Sequence, residues 1–313
     1  MFRILVFASL VLLCAFNASL ASAGDPILKL ADSLAESGYS YEAITEYKRF
    51  IFHHYHAADA DYKRILAYYE DEIQLSDVYY SIAMAYREME KWDESIASLE
   101  QAIISADNDS IRGERKIDIA VTGIAAGNYS SAAFNLTRIA TFSKYPQVRN
   151  RARFNLGICY IYTYKWEEAF DVLSQYYADI PDNKNQKLKI FSNDNYPTLK
   201  NPDRAKWLST FLPGSGQMYA GAWWDGINSL LINGGIGYMT GSMIYRGLYS
   251  DALIVSLGLL PRFYQGNRYN AQKRVEEFNE EINKVFAKRA LNIISNEYSE
   301  QTTPKELNLN SHG

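Results

Sequence analysis

The chain has 313 residues, 48% hydrophobic and 14% aromatic, with 25 tyrosines. Such a composition excludes a disordered chain, and the length allows two folded domains. The formal net charge is −4 and no dense run of Lys and Arg occurs, so binding to nucleic acid is not expected.

Residues 1–23 read as a secretory signal peptide. Arg3 gives the positive start, Ile4 to Phe16 the apolar core, and Ala21-Ser22-Ala23 the small-x-small cleavage pattern, which puts the mature start at Gly24. The apolar run is short for a membrane anchor. Leu13 precedes Cys14 where a lipoprotein signal needs a small residue, so cleavage is expected over lipidation. Cys159 then has no cysteine partner. Its neighbours Gly157, Tyr160 and Tyr162 make it a small buried apolar residue.

Asp25 to Glu36 reads as a first helix, stopped by Gly38, and Tyr41 to Tyr55 as a second. Tyr62 to Leu75 carries Ile65, Leu66, Tyr69 and Ile73 at helical spacing and reads as an inserted helix. Ser76 is expected to cap the next helix, with Asp93 to Ile104 as its partner. Helices follow at about Ile111 to Ala126, Ser130 to Phe142, Val148 to Tyr162 and Trp166 to Tyr177. Gly127-Asn128 is the expected turn of the third hairpin, and Lys165 takes that place in the fourth.

These helices repeat. Ala83, Ala120 and Gly157 are spaced by 37, and Ser95, Ala132 and Ala169 follow each by twelve. Trp92, Tyr129 and Trp166 lie between the two small positions, and Leu99, Leu136 and Leu173 come four residues after the second. Small residues let paired helices approach closely. The aromatic and the Leu fill the remaining space, and hairpins must stack to hide their apolar faces. Ala31, Gly38, Ala43 and Tyr47 form an earlier copy, with Ser40 where the aromatic belongs. The pattern resembles the tetratricopeptide repeat family over residues 26–181, with Pro181 closing the last copy. Its period is 37 rather than the family's 34, and 52 residues separate the first two copies. The resemblance implies an all-α solenoid of helical hairpins over residues 24–181, with a groove that binds a protein or peptide. Tyr79, Tyr80, Tyr86, Arg87, Arg153, Tyr160 and Tyr164 on or beside first helices are the candidate groove residues. Aromatic and Arg side chains are what interfaces favour.

Residues 182–204, rich in Asn and Pro and without a period, read as a linker. Eleven of the 18 glycines fall between Gly214 and Gly266. Ile227 to Tyr245 has no charged residue, and Ala252 to Leu260 is apolar again. Pro213, Gly214, Gly216, Gln217, Tyr219, Gly221, Asp225 and Gly226 form a signature that resembles a group of bacterial membrane modules built as short helical hairpins. It covers residues 205–270 and implies a membrane hairpin but no settled reaction. Glycines at 214, 216 and 221 suit a tight turn. Gln217 and Asn233 suit backbone groups left open in an apolar setting. Gly237 to Gly241 is a G-x-x-x-G face. Trp207, Trp223, Trp224 and Tyr245 sit where a membrane interface favours them. Two crossings would leave Arg262, Arg268, Lys273 and Arg274 on the same side as the exported repeats, against the positive-inside tendency. A hairpin partly in one leaflet, or in an outer membrane, avoids that conflict.

Residues 271–298 read as an amphipathic helix, with Val275, Phe278, Ile282, Phe286, Ala290 and Ile293 as its stripe. Residues 299–313 read as a disordered tail. His53, His54 and His56 with Asp59 and Asp61 lack zinc spacings, and Gly214-Ser215-Gly216 lacks a phosphate-loop ending. No cofactor, metal or catalytic residue is expected. The chain reads as a non-enzymatic, membrane-tethered scaffold of a bacterial cell envelope, facing the periplasm. Its expected partners are a protein or peptide and membrane lipid, not nucleic acid. The alternative is an accessory that binds or moves a lipid or small solute through the hairpin module.

Overall fold

The computed structural model describes residues 25–56, 74–178, 188–191 and 195–302, with the backbone alone at 54–56 and 295–302. The signal peptide, most of the inserted helix expected at Tyr62 to Leu75, and the end of the tail lie outside these residues. Among the described residues there is no strand. The chain divides into two compact units, one running to Ser192 and resuming at Ala290, the other Asn193–Arg289.

The first unit is an all-α solenoid of helical hairpins. Its helices are α1 (Pro26–Glu36), α2 (Ser40–His56), α3 (Leu75–Glu88), α4 (Trp92–Ile104), α5 (Asp109–Ala125), α6 (Tyr129–Phe142), α7 (Pro146–Tyr162) and α8 (Trp166–Tyr177). Each helix packs against the next one described. The small-residue ladder marks where paired helices meet. The Ser95 hydroxyl donates to the Ala83 carbonyl at 2.8 Å. A Cβ on Gly157 would stand 2.6 Å from the Leu173 side chain. Leu99, Leu136 and Leu173 have no exposed surface, each burial contributing about 1.5–3 kcal/mol.

Among the described residues of this unit one turn is used four times. The residue after it donates its N–H five residues back: Tyr39 to Leu34, Lys91 to Tyr86, Asn128 to Gly123 and Lys165 to Tyr160, at 2.7–2.9 Å. That bond needs a left-handed residue just before the donor. Gly38 and Gly127 take the conformation without strain, whereas Glu90 (φ 56°) and Tyr164 (φ 60°) take it with a side chain. The strained position of the fourth hairpin is therefore Tyr164, not Lys165. Ser76 is also not a cap. Gln74 holds the cap position, and the buried Ser76 hydroxyl donates to the Ala102 carbonyl at 2.8 Å. Left-handed backbone costs a side-chain-bearing residue about 1–2 kcal/mol, while glycine adds back some unfolded-state entropy. Replacing the exposed Glu90 with glycine is expected to stabilise the solenoid by about 1 kcal/mol, read as a higher denaturant midpoint at unchanged slope.

The second unit holds α9 (Pro202–Phe211), α10 (Ser215–Ala220), α11 (Trp223–Tyr245), α12 (Tyr249–Gly258) and the part of α13 (Leu260–Thr302) up to Arg289. Asn201 caps α9, accepting from the Arg204 N–H at 3.1 Å, so a helix begins inside the expected linker. The amphipathic stretch expected at 271–298 belongs to one continuous helix that starts at Leu260. Pro261 lies in its first turn, where a missing N–H breaks no bond. The core here is alanine-sized: Ala205, Ala220, Ala271 and Val275, with Tyr219 against them. Asn279 clamps the extended backbone before α9, accepting from the Lys200 N–H at 2.9 Å and donating to its carbonyl at 2.7 Å.

Candidate functional site

On the first helices of the solenoid, charges recur at the repeat period: Asp77 on α3, Glu114 on α5 and Arg151 on α7. They belong to one ladder. Arg115 donates to Asp77 at 2.5 Å, lies 4.0 Å over the Tyr80 ring, and reaches Asp118 at 3.5 Å. Arg151 donates to Asp118 at 2.5 Å and also to Glu114. Asp118 is 0% exposed and holds both guanidinium groups. Burial works against the Arg151 charge, but the Asp118 and Glu114 carboxylates outweigh it and raise its pKa. Two Arg and three carboxylates thus tie three successive first helices together. Paired in this way, they lend the face rigidity rather than a reactive group.

The candidate groove residues are spread over two first helices with α5 between them. Tyr79 and Tyr86 on α3 lean on the core cluster of the first hairpin. The Tyr86 hydroxyl accepts from Lys48 at 2.8 Å. Arg87 is buried. On α7, Arg153 donates to Asn150 at 3.1 Å and Tyr160 rests on the central core cluster. Tyr164 sits in the strained turn, its ring 5.7 Å from that of Trp166. The ladder residues are not among the groove residues expected from the sequence. Their signal was there, as charges in step at 77, 114 and 151 on helices otherwise read for their apolar residues. Cys159 is buried with its sulfur 3.3 Å from the Tyr129 carbonyl, and burial pushes its thiol up to about 11. It is a protonated core residue at neutral pH. Of the His/Asp group set aside as a metal site, Asp59, Asp61 and the side chains of His54 and His56 lie outside the described residues.

In the second unit the signature residues build a knot. Gly214 (φ 93°) and Gly221 (φ 95°) flank the short helix α10. A Cβ on Gly214 would stand 2.0 Å from the Gly226 carbonyl oxygen, and one on Gly226 2.5 Å from the Met218 side chain. Gln217, 2% exposed, donates to the Asn267 side chain at 2.9 Å and accepts from the Ser209 hydroxyl at 3.1 Å. Asn267 donates to the Ser209 carbonyl at 3.1 Å and accepts from the Gly214 N–H at 3.1 Å. Ser229 also donates to Asn267, at 2.5 Å. Gln217 and Asn267 together join α9, α10, α11 and α13. The Tyr219 hydroxyl accepts from the Asn201 N–H at 3.3 Å, and Asp225 pairs with Arg274 at 2.8 Å. Pro213 lies in the turn just before Gly214. Asn233 is buried and donates to the Ser229 carbonyl at 2.8 Å.

Beyond the knot, α11 and α12 are bare. Leu230, Leu231, Ile232, Leu253, Ile254 and Leu257 are all exposed, as are Trp223 and Trp224 at one end and Tyr245 and Tyr249 at the other. Among the described residues nothing lies within 4 Å of a Cβ position on Gly237 or Gly241, so none of them packs on the G-x-x-x-G face there. Among the described residues no helix is long and apolar enough to cross a membrane. A cleft of about 510 Å³ opens where α11 meets α13, lined by Asp225, Asn228, Arg262, Asn270, Lys273 and Arg274 among others.

Residues 77–107 match the tetratricopeptide repeat. That match spans α3 and α4, the hairpin that carries Ala83, Ser95 and Leu99. No curated protein matches the chain. Proteins with tetratricopeptide repeats use stacked hairpins to hold other proteins, and the geometry of α1–α8 is of that kind.

Proposed function

We propose that the chain is a non-enzymatic, membrane-tethered envelope scaffold. In this role the tetratricopeptide-like unit holds a protein or peptide partner on the periplasmic side, and the glycine-rich hairpin seats the chain in membrane lipid. The observation that carries the tether is the apolar skin of α11 and α12: Ile254 is 71% exposed and Leu231 66%. Soluble monomers rarely leave so many large apolar side chains of one hairpin in water. Aromatic residues at both ends of the hairpin, with Trp207 and Phe211 exposed on α9, suit a lipid–water boundary.

Full-length protein is expected to remain with carbonate-washed membranes. A triple variant, Leu231→Asp, Ile254→Asp and Leu257→Asp, alters only exposed side chains and is expected to move the chain to the soluble fraction. Losing three buried apolar contacts and immersing three carboxylates should weaken retention at least tenfold. Wild-type protein in the soluble fraction, or a variant still held, would sink the tether.

The second reading, a lipid- or solute-binding accessory, is favoured by the cleft at the hairpin base. It places polar and cationic groups beside the apolar hairpin, as an amphiphile would require.

A further inference from the structure

We propose that the cleft between α11 and α13 binds a phosphate ester, with Arg262 and Lys273 as its counter-ions. In its lipid form the site deepens the proposed tether and rests on it. The charge of the cleft is decided by which groups are already committed. Arg274 holds both acidic side chains of the cleft, pairing with Asp225 and with Glu277 at 2.8 Å each. Lys273 reaches Glu277 only at 3.8 Å, with both side chains about half exposed, a contact of little strength. Arg262 makes no ion pair or hydrogen bond among the described residues. The uncommitted charge is therefore positive.

Two amides, Asn228 and Asn270, line the same space and donate no hydrogen bond among the described residues. The floor is fixed, because Gln217 and Asn267 are fully engaged with each other and with Ser209. A guanidinium fork and amide donors lining one cleft suit the tetrahedral oxygens of a phosphate. Part of the wall is apolar: Ile232 and Phe263 line the cleft beside Ser229 and Asn233, and both are exposed. A ligand with a phosphate and an apolar body satisfies both parts. A volume of about 510 Å³ is within the range of small-molecule sites.

The test uses full-length protein and sedimentation with two vesicle types: phosphatidylcholine alone, and phosphatidylcholine with phosphatidylglycerol. Wild type is expected to bind both, and the anionic vesicles about tenfold more tightly. Arg262→Gln with Lys273→Gln is expected to erase that preference while keeping binding to neutral vesicles. Both side chains are exposed, and an unchanged melting temperature checks the fold. A control pair outside the cleft, Arg246→Gln with Lys288→Gln, is expected to keep the preference. The proposal is overturned if the cleft pair retains the preference or the control pair loses as much of it. Glycerol phosphate separates the sources. A melting shift in wild type but not in the cleft variant assigns a soluble ester, and a response to vesicles alone assigns the lipid headgroup. Failure of wild type on neutral vesicles counts against the tether and not the site. Silence of both anionic vesicles and glycerol phosphate ends the site.

Discussion

Gly216→Ala is expected to unfold the glycine-rich unit while leaving the solenoid folded. A Cβ at that position would stand 2.2 Å from the Ala205 carbonyl oxygen, 2.6 Å from the Ser209 hydroxyl and 2.7 Å from the Ala271 Cβ. Two of the three neighbours cannot swing away, since one is backbone and one is the root of a side chain. Overpacking a tight core costs about 1–3 kcal/mol, and more when backbone must move. The same shift would pull Ser209 from Gln217 and from the Gly216 N–H, which it accepts at 3.0 Å. A loss of at least about 3 kcal/mol is expected. Limited proteolysis should show new cuts within Asn193–Arg289 and none within α3–α8. Graded controls separate packing from backbone strain. Gly221→Ala has open space but a φ of 95°, so it should cost only about 1–2 kcal/mol. Gly237→Ala, with open space in mid-helix, should be neutral or stabilising by up to about 1 kcal/mol. A Gly216→Ala protein as stable as wild type would show that the knot is not close-packed.

Asp118→Ala is expected to cost the solenoid about 3 kcal/mol. Asp118 has no exposed surface and is shared between Arg115 and Arg151. Removing one partner of a buried ion pair strands the other charge, at a cost of about 3–5 kcal/mol. The lower end applies because Arg115 keeps Asp77 and Arg151 keeps Glu114. Chemical unfolding monitored at the solenoid's tryptophans reads the midpoint. Combining Asp118→Ala with Arg151→Met should recover part of the loss, since the stranded charge goes too. If single and double variants add without coupling, the ladder does not tie the hairpins together. The loss should also change little with salt, unlike that of the exposed Arg274–Glu277 pair, because ions do not screen a buried contact well.

The solenoid was legible because its determinants are local and periodic. The pairs Ala83 and Ser95, Ala120 and Ala132, and Gly157 and Leu173 each lie within one hairpin, so spacing along the chain is close to spacing in the fold. Gly38 and Gly127 announced their turns. Glu90 and Tyr164 did not, because nothing in a glutamate or a tyrosine signals positive φ; the hairpins on either side impose it. The charge ladder crosses between hairpins, from α3 to α5 to α7. Its members looked like ordinary polar positions until the helices were stacked.

In the second unit, residue types marked a glycine-dense apolar hairpin and a signature around Gln217. They did not reveal what Gln217 touches, since Asn267 is fifty residues away and outside the signature. Nor could they place the start of α13 at Leu260, because Pro261 serves there as a first-turn residue of the helix. Helices, repeat period and apolar hairpin follow from contacts a few residues apart. The knot, the buried ladder and the cationic cleft come from residues that meet only once the backbone has turned back on itself, and no short-range pattern encodes such a meeting.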